Sequence, residues 1–222
     1  MNYEGILNKI EKSLDGISHL DELVIEKESS FKILISTILS ARTKDANTRA
    51  ATKELFSRYK TPEEIANADV NELEKLVYKA GFYKVKAARI KEVSKIILAK
   101  FNGVVPNDFK NLKSLPGVGA KTANCVLVYA FNVPAIPVDT HVHRVTNRLE
   151  WVKTKMPEAT EAELKKIVPE NQWIRLNGLF VRFGQQICLP INPKCSTCPI
   201  DPDCPKNFSM EIEKKKKGKR KK

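Results

Sequence analysis

An all-α fold is predicted by three observations. Apolar residues recur every three or four positions along most of the chain, helix-start signatures precede several of these stripes, and no convincing segment alternates with period two. The first stripe is Phe31, Leu34, Ile35, Ile38 and Leu39, with Ser29 or Ser30 placed to cap it. Thr61-Pro62-Glu63-Glu64 reads as a capping box with proline at the first helical position. Asp69 leads a helix through Leu73, Leu76, Val77 and Ala80 that Gly81 closes. A longer helix carries Ala87, Ile90, Val93, Ile97, Leu98 and Phe101 and ends near Gly103. Thr160 and Glu163 read as a further capping box. Trp173, Leu176, Phe180, Phe183 and Ile187 then run into Cys188. These stripes are read as core. Pro134 and Pro137 interrupt the chain, and residues 132–137 read as a domain crossing.

At 222 residues the chain suffices for one large or two modest domains, and 42% hydrophobic with 29% charged residues describes an ordinary globular protein. The first fifteen residues carry charges throughout and lack the apolar centre of a signal peptide. No run approaches the roughly 18 apolar residues of a membrane span. An intracellular setting is expected, cytoplasm and nucleoid or the nucleus of a eukaryote, where thiols stay reduced. Net charge is +13; residues 214–222 hold eight basic side chains, which leaves +5 on the rest. The terminal run is read as a solvated, disordered tail. A body that stays positive without it makes nucleic acid the leading partner, with no membrane association and no apolar face to support one.

Cys188, Cys195, Cys198 and Cys204 follow the spacing Cys-x6-Cys-x2-Cys-x5-Cys. Thiolates so close in sequence converge on one soft metal centre at little loop-closure cost. Zinc sites usually draw on two separated Cys-x2-Cys knuckles. One knuckle flanked by single cysteines better suits a loop around a [4Fe-4S] cluster, with zinc and then disulfides as the other readings. Cys125, in an apolar run, is read as a small buried hydrophobe.

Leu115-Pro116-Gly117-Val118-Gly119-Ala120-Lys121-Thr122-Ala123 joins an apolar stretch containing Leu112 to the helix-like 123–131. Two glycines one residue apart permit a turn too tight for a side chain and present successive N–H groups at a helix N-terminus, which suits phosphate. A P-loop is excluded because Ala120 separates Gly119 from Lys121, and a dinucleotide fingerprint because Thr122 replaces its third glycine. The remaining reading is a helix-hairpin-helix over 112–131 that grips the sugar-phosphate backbone through Gly117, Val118 and Gly119. In Val138-Asp139-Thr140-His141-Val142-His143, Asp139 stands where a helix N-cap belongs, so a purely structural cap is a live reading. His141 and His143 are two apart and point in different directions on a helix, a poor metal pair.

Leu-Pro-Gly-Val-Gly-x-Lys-Thr-Ala, then Val-Asp-Thr-His, then the four-cysteine loop resemble, in order, the signature of the endonuclease III family of DNA base-excision glycosylases. The resemblance covers Leu34 to Cys204 and excludes the basic tail. It implies two helical domains: a six-helix barrel over 22–133, and a discontinuous cluster domain formed by 1–21 with 134–206, followed by a tail at 207–222. It implies a monomer acting on double-stranded DNA that contains damaged bases or abasic sites. Carried over, Lys121 is the nucleophile, Asp139 its carboxylate partner from the facing wall, and His141 a DNA contact. Arg42 and Phe82 correspond to loop residues that fill the gap left by a flipped nucleotide, at positions where glutamine and leucine are frequent.

That chemistry asks for these residue types. Loss of a base builds oxocarbenium character at C1′, which a carboxylate stabilises. Only an amine attacking C1′ forms the Schiff base that permits β-elimination of the 3′ phosphate. The expected function is a bifunctional glycosylase and AP lyase that removes oxidised or damaged pyrimidines. A monofunctional mismatch-specific glycosylase and a non-catalytic iron–sulfur DNA-binding protein are the alternatives. Asp201 and Asp203 make the cysteine loop less basic than in some relatives, which shifts the expected phosphate contacts toward the hairpin and tail.

Overall fold

The structure is a computed structural model that describes residues 2–209. The run 214–222 and its expected disorder lie outside them. Among the described residues there are twelve α-helices, three single-turn 3₁₀ segments and no strand. In chain order the helices are α1 (Tyr3–Lys12), α2 (His19–Ile25), α3 (Ser30–Ser40), α4 (Asp45–Arg58), α5 (Pro62–Asn67) and α6 (Val70–Leu76). They continue with α7 (Tyr83–Phe101), α8 (Phe109–Lys113), α9 (Ala120–Phe131), α10 (Thr140–Arg148), α11 (Pro157–Ile167) and α12 (Trp173–Gln186). The chain divides into two compact units, Gly16–Pro137 and Met1–Asp15 with Val138–Lys222. No helix of the described residues is long and apolar enough to cross a membrane.

In the unit Gly16–Pro137, α3 and α9 form the centre. Phe31 and every residue from Ile33 to Leu39 are buried in α3, as are Ala123 to Tyr129 in α9. Helices apolar on all sides belong in a core, and these two pack on each other. Cys125 is fully buried there. Ser29 caps α3 by accepting from the Lys32 N–H, and Thr61 and Glu64 close the expected capping box at α5. Around this pair, α5 and α6 pack on α7 through Ile65, Leu73, Ile90 and Ile97, all fully buried. α7 ends at Phe101, just before Gly103, as its stripe predicts.

The second unit gathers both ends of the described chain. Ile6, Leu7 and Ile10 of α1 are buried, and α1 packs on α12. Tyr3 meets the edge of Trp151 at 4.9 Å between centroids, and Trp151 lies 5.4 Å from Phe180. Arg175 of α12 reaches Glu11 at 3.0 Å and Asn8 at 2.8 Å. Burying each such aliphatic side chain contributes roughly 1.5–3 kcal/mol, so the α1 seam outweighs its exposed ion pair, worth about 0–1 kcal/mol.

Two local expectations fail. The Thr160–Glu163 capping box does not form, because α11 starts earlier, with Pro157 at its first turn and Met156 as N-cap. Proline presets the helical φ there. Thr160 is instead buried inside the helix, where its hydroxyl meets His143 Nδ1 at 2.6 Å. Gly81 does not close α6 either. That helix ends at Leu76, and Gly81 lies in the loop ahead of α7.

Candidate nucleic-acid interface and cysteine centre

The expected hairpin lies between α8 and α9, which pack on each other. Gly117 has φ +72, a left-handed conformation that needs glycine, and a Cβ there would run into the Arg89 side chain. Gly119 differs. Its backbone is extended (φ −86, ψ −179) and a Cβ would face open space, so sterics alone do not demand glycine. Its bareness leaves the first turn of α9 without a side-chain cap. Val118 is buried and donates its N–H to Leu115 O at 3.1 Å. The part of the turn left without a side-chain cap is the start of α9. Lys121 is the second residue of that helix and half-buried, with the helix-dipole positive end beneath it.

In the same unit the loops holding Arg42 and Phe82 come together. The Arg42 guanidinium lies 6.0 Å from the centroid of the Phe82 ring, which is 64% exposed. Both residues have positive φ, 54 and 59. Tyr78 and Tyr83 form a ring pair beside them at 4.9 Å. Arg42, Lys44, Lys79, Tyr78, Phe82 and Tyr83 line one open concavity, where cations alternate with aromatic faces. That combination suits a polyanion with stackable bases.

In the other unit, Asp139 is the N-cap of α10. Its Oδ1 accepts from the N–H groups of His141 at 2.9 Å and Val142 at 2.8 Å. Among the described residues its Oδ2 carries no hydrogen bond, so the cap fixes the carboxylate and leaves one oxygen available. The two histidines diverge. His143 is buried against Thr160, whereas the His141 ring meets Arg144 at 3.2 Å. Gly184 allows α12 this close, since a Cβ would fall 2.5 Å from His141 Nδ1.

Cys188, Cys195, Cys198 and Cys204 line one cavity with Val145, Leu149, Phe183 and Ile200, and none forms a disulfide. Burial pushes Cys198 up to about 11, and the charges of Cys188, Cys204 and Cys195 push the same way. Burial likewise raises Cys204. A neighbouring cation, such as a soft metal centre provides, would favour the thiolates of Cys198 and Cys204. No group of three or more His, Cys, Asp or Glu among the described residues is arranged to hold a single metal ion. N–H donors surround the sulfurs. Arg148, only 3% exposed, donates to Cys188 Sγ at 3.2 Å and Leu189 O at 2.7 Å, and the Lys206 N–H to Cys204 Sγ at 3.4 Å. Both nearby carboxylates are paired, Asp203 with Lys9 at 2.7 Å and Asp201 with Lys206 at 2.8 Å.

Sequence reasoning missed Arg148, Arg89, Thr43 and Lys86. The last is 3% exposed, and its signal was its position four residues before Ile90, on the buried stripe of α7.

An all-helical fold with a hairpin at α8–α9 defines a class. The model for "HhH-GPD superfamily base excision DNA repair protein" matches residues 35–170. Endonuclease III of Thermotoga maritima is 51% identical over 174 residues, 78% of this chain and 82% of that protein. The chain therefore belongs to the endonuclease III family, DNA glycosylases with AP lyase activity. The chloroplastic endonuclease III homolog 2 of Arabidopsis thaliana is 45% identical over 82% of this chain, which spans half of that longer protein. A solved structure of a trapped endonuclease III–DNA covalent intermediate, an estranged-adenine complex, superposes with a TM-score of 0.81. Its identity is 35%, and the match covers 91% of this chain and 94% of that one.

Proposed function

We propose that this chain removes oxidised or damaged pyrimidines from duplex DNA and then cleaves the strand 3′ to the abasic site by β-elimination. The observation that carries the reading is a lysine in the first turn of the hairpin's second helix, in a member of the endonuclease III family. Lys121 Nζ, as the free amine, forms a bond to C1′ while the glycosidic C1′–N bond breaks and the base leaves with the electron pair. Sugar ring opening gives an iminium. Loss of a C2′ proton then expels the 3′ phosphate by C3′–O cleavage, and water releases Lys121. Asp139, held by its cap bonds, stabilises the developing positive charge with Oδ2. Gly119 and the start of α9 receive a backbone phosphate. Arg42 and Phe82 occupy the gap that a flipped nucleotide leaves, and His141 contacts the strand.

In the same reading Cys188, Cys195, Cys198 and Cys204 hold a [4Fe-4S] cluster. The donor set supports it: four reduced thiols around one cavity, ringed by N–H donors. A zinc ion would need its sulfurs within ~2.3 Å of one point, whereas each iron of a [4Fe-4S] cluster would take its own thiolate. Bound there, such a cluster would cross-link the loop 188–204 through the four cysteines, and base removal by this route needs no electron transfer. The units Gly16–Pro137 and Met1–Asp15 with Val138–Lys222 are, in this reading, the barrel and the cluster domain. The enzyme works as a monomer.

Borohydride trapping on an abasic duplex tests the reading. The wild-type chain yields a covalent adduct; Lys121→Gln yields none, yet still binds the duplex. A wild-type chain that binds but resists trapping would instead be a monofunctional glycosylase or a non-catalytic binder.

A further inference from the structure

Lys86 stands one turn into α7, and its own N–H bonds to Phe82 O at 3.1 Å. Its ammonium is nearly excluded from solvent, so it requires acceptors in place of water. It finds two around the C-terminal end of α3: Leu39 O in its last turn at 2.7 Å and Thr43 Oγ1 in the loop that follows at 2.6 Å. The Thr43 hydroxyl also accepts the Gly81 N–H at 3.1 Å and donates, weakly, to Ala41 O at 3.4 Å. One donor and two lone pairs are thereby used in full. Gly81 permits the approach, since a Cβ there would lie 3.1 Å from Arg42 O.

These bonds bracket the two exposed tips. Thr43 follows Arg42 and Gly81 precedes Phe82, the two residues in left-handed conformation. Such backbone persists in non-glycine residues only where neighbouring contacts over-determine it. The Lys86–Thr43–Gly81 bonds do so for both tips at once.

We infer that Lys86 and Thr43 are positioning residues that lock the Arg42 and Phe82 loops into a single two-pronged wedge, so that cation and ring enter a distorted duplex together. The inference rests on the proposal above that Arg42 and Phe82 fill the gap beside a flipped nucleotide. A wedge ordered in advance avoids the side-chain and loop ordering that binding otherwise costs.

The test uses the full chain and a duplex bearing an uncleavable tetrahydrofuran abasic analogue opposite 2-aminopurine. Two readouts are taken: the ratio of affinities for this duplex and an undamaged one, and the 2-aminopurine fluorescence change on binding. Thr43→Val removes the hydroxyl at nearly constant volume and should lower the ratio roughly tenfold and blunt the fluorescence change. Lys86→Met should do the same, while Thr43→Ser keeps both near wild type. Should Lys86→Met fail to fold, the Thr43 pair decides alone. Arg42→Ala and Phe82→Ala probe the underlying reading. If neither lowers the ratio, that reading fails and the inference with it. If they lower it while Thr43→Val matches wild type, the inference alone is overturned.

Discussion

At the scale of single residues, the cap that Asp139 provides is compatible with the catalytic role proposed for it, although the sequence presented the two as rivals. Its Oδ1 caps α10, and that bond aims the carboxylate. Asparagine caps a helix as well as aspartate does, so Asp139→Asn separates the roles. Unfolding free energy should stay within about 0.5 kcal/mol of wild type, while base release falls on the order of 10²–10³-fold. Unchanged turnover on a damaged duplex would leave Asp139 with the cap alone. Lys86 offers a pH test. Burial, with Arg89 adding repulsion, lowers its pKa from 10.5 to about 8. Between those values the unfolded chain binds more protons than the folded one, so this residue makes stability rise with pH across the window. Below it, the charge is buried at full cost. The neutral amine keeps two N–H groups, enough for Leu39 O and Thr43. Wild type should therefore gain on Lys86→Met in urea midpoint between pH 8 and 10; a constant gap would show that Lys86 titrates as it does in water. The motifs around Lys121 and Asp139 stood out in the sequence because each is contiguous. Lys86 did not, because a lysine in a helix ordinarily reads as solvated, and its partners lie 43 and 47 positions away.

Among the elements, the hairpin separates two glycines that look alike in the sequence. Gly117 is held by its backbone angle, whereas Gly119 is extended and faces open space, where the proposed function brings a phosphate. Gly117→Ala should cost about 1–2 kcal/mol through left-handed strain alone. Gly119→Ser should leave the fold intact or stabilise it by up to ~1 kcal/mol through a new cap, while its hydroxyl competes with phosphate for the same N–H groups. Urea unfolding together with affinity for an abasic duplex distinguishes the pair; equal binding by Gly119→Ser would remove the phosphate from that turn. Helix existence was readable here because each buried stripe is long and regular. Starts were readable where the signals converged on one place, as at Ser29 or Ser30 and at Thr61. They were misread where two competed, as at Pro157 against Thr160, and the hydroxyl there served His143 instead.

Considered whole, the chain divides into two units, of which one alone contains the four clustered cysteines Cys188, Cys195, Cys198 and Cys204. Cys198→Ala should abolish visible absorbance and make the unit containing residues 138–209 protease-sensitive, while limited proteolysis still yields a resistant fragment close to Gly16–Pro137. Equal resistance of both units would show that the cysteine centre contributes nothing to stability. The four-cysteine loop announced itself by spacing. Nothing in the composition of residues 2–15 ties them to that loop, because Tyr3, Glu11 and Ile10 are ordinary helix residues until Trp151 and Arg175 stand beside them.

That seam has a consequence during synthesis. α1 leaves the ribosome ahead of the other helices described, yet Arg175, which binds Glu11, is made 164 residues later. At about 5–20 residues per second, Ile6, Leu7 and Ile10 stay uncovered on the nascent chain for roughly 8–30 seconds. The intervening unit emerges and can close first. α1 then finds its partner only once translation has passed α12, so a helix made early becomes native late.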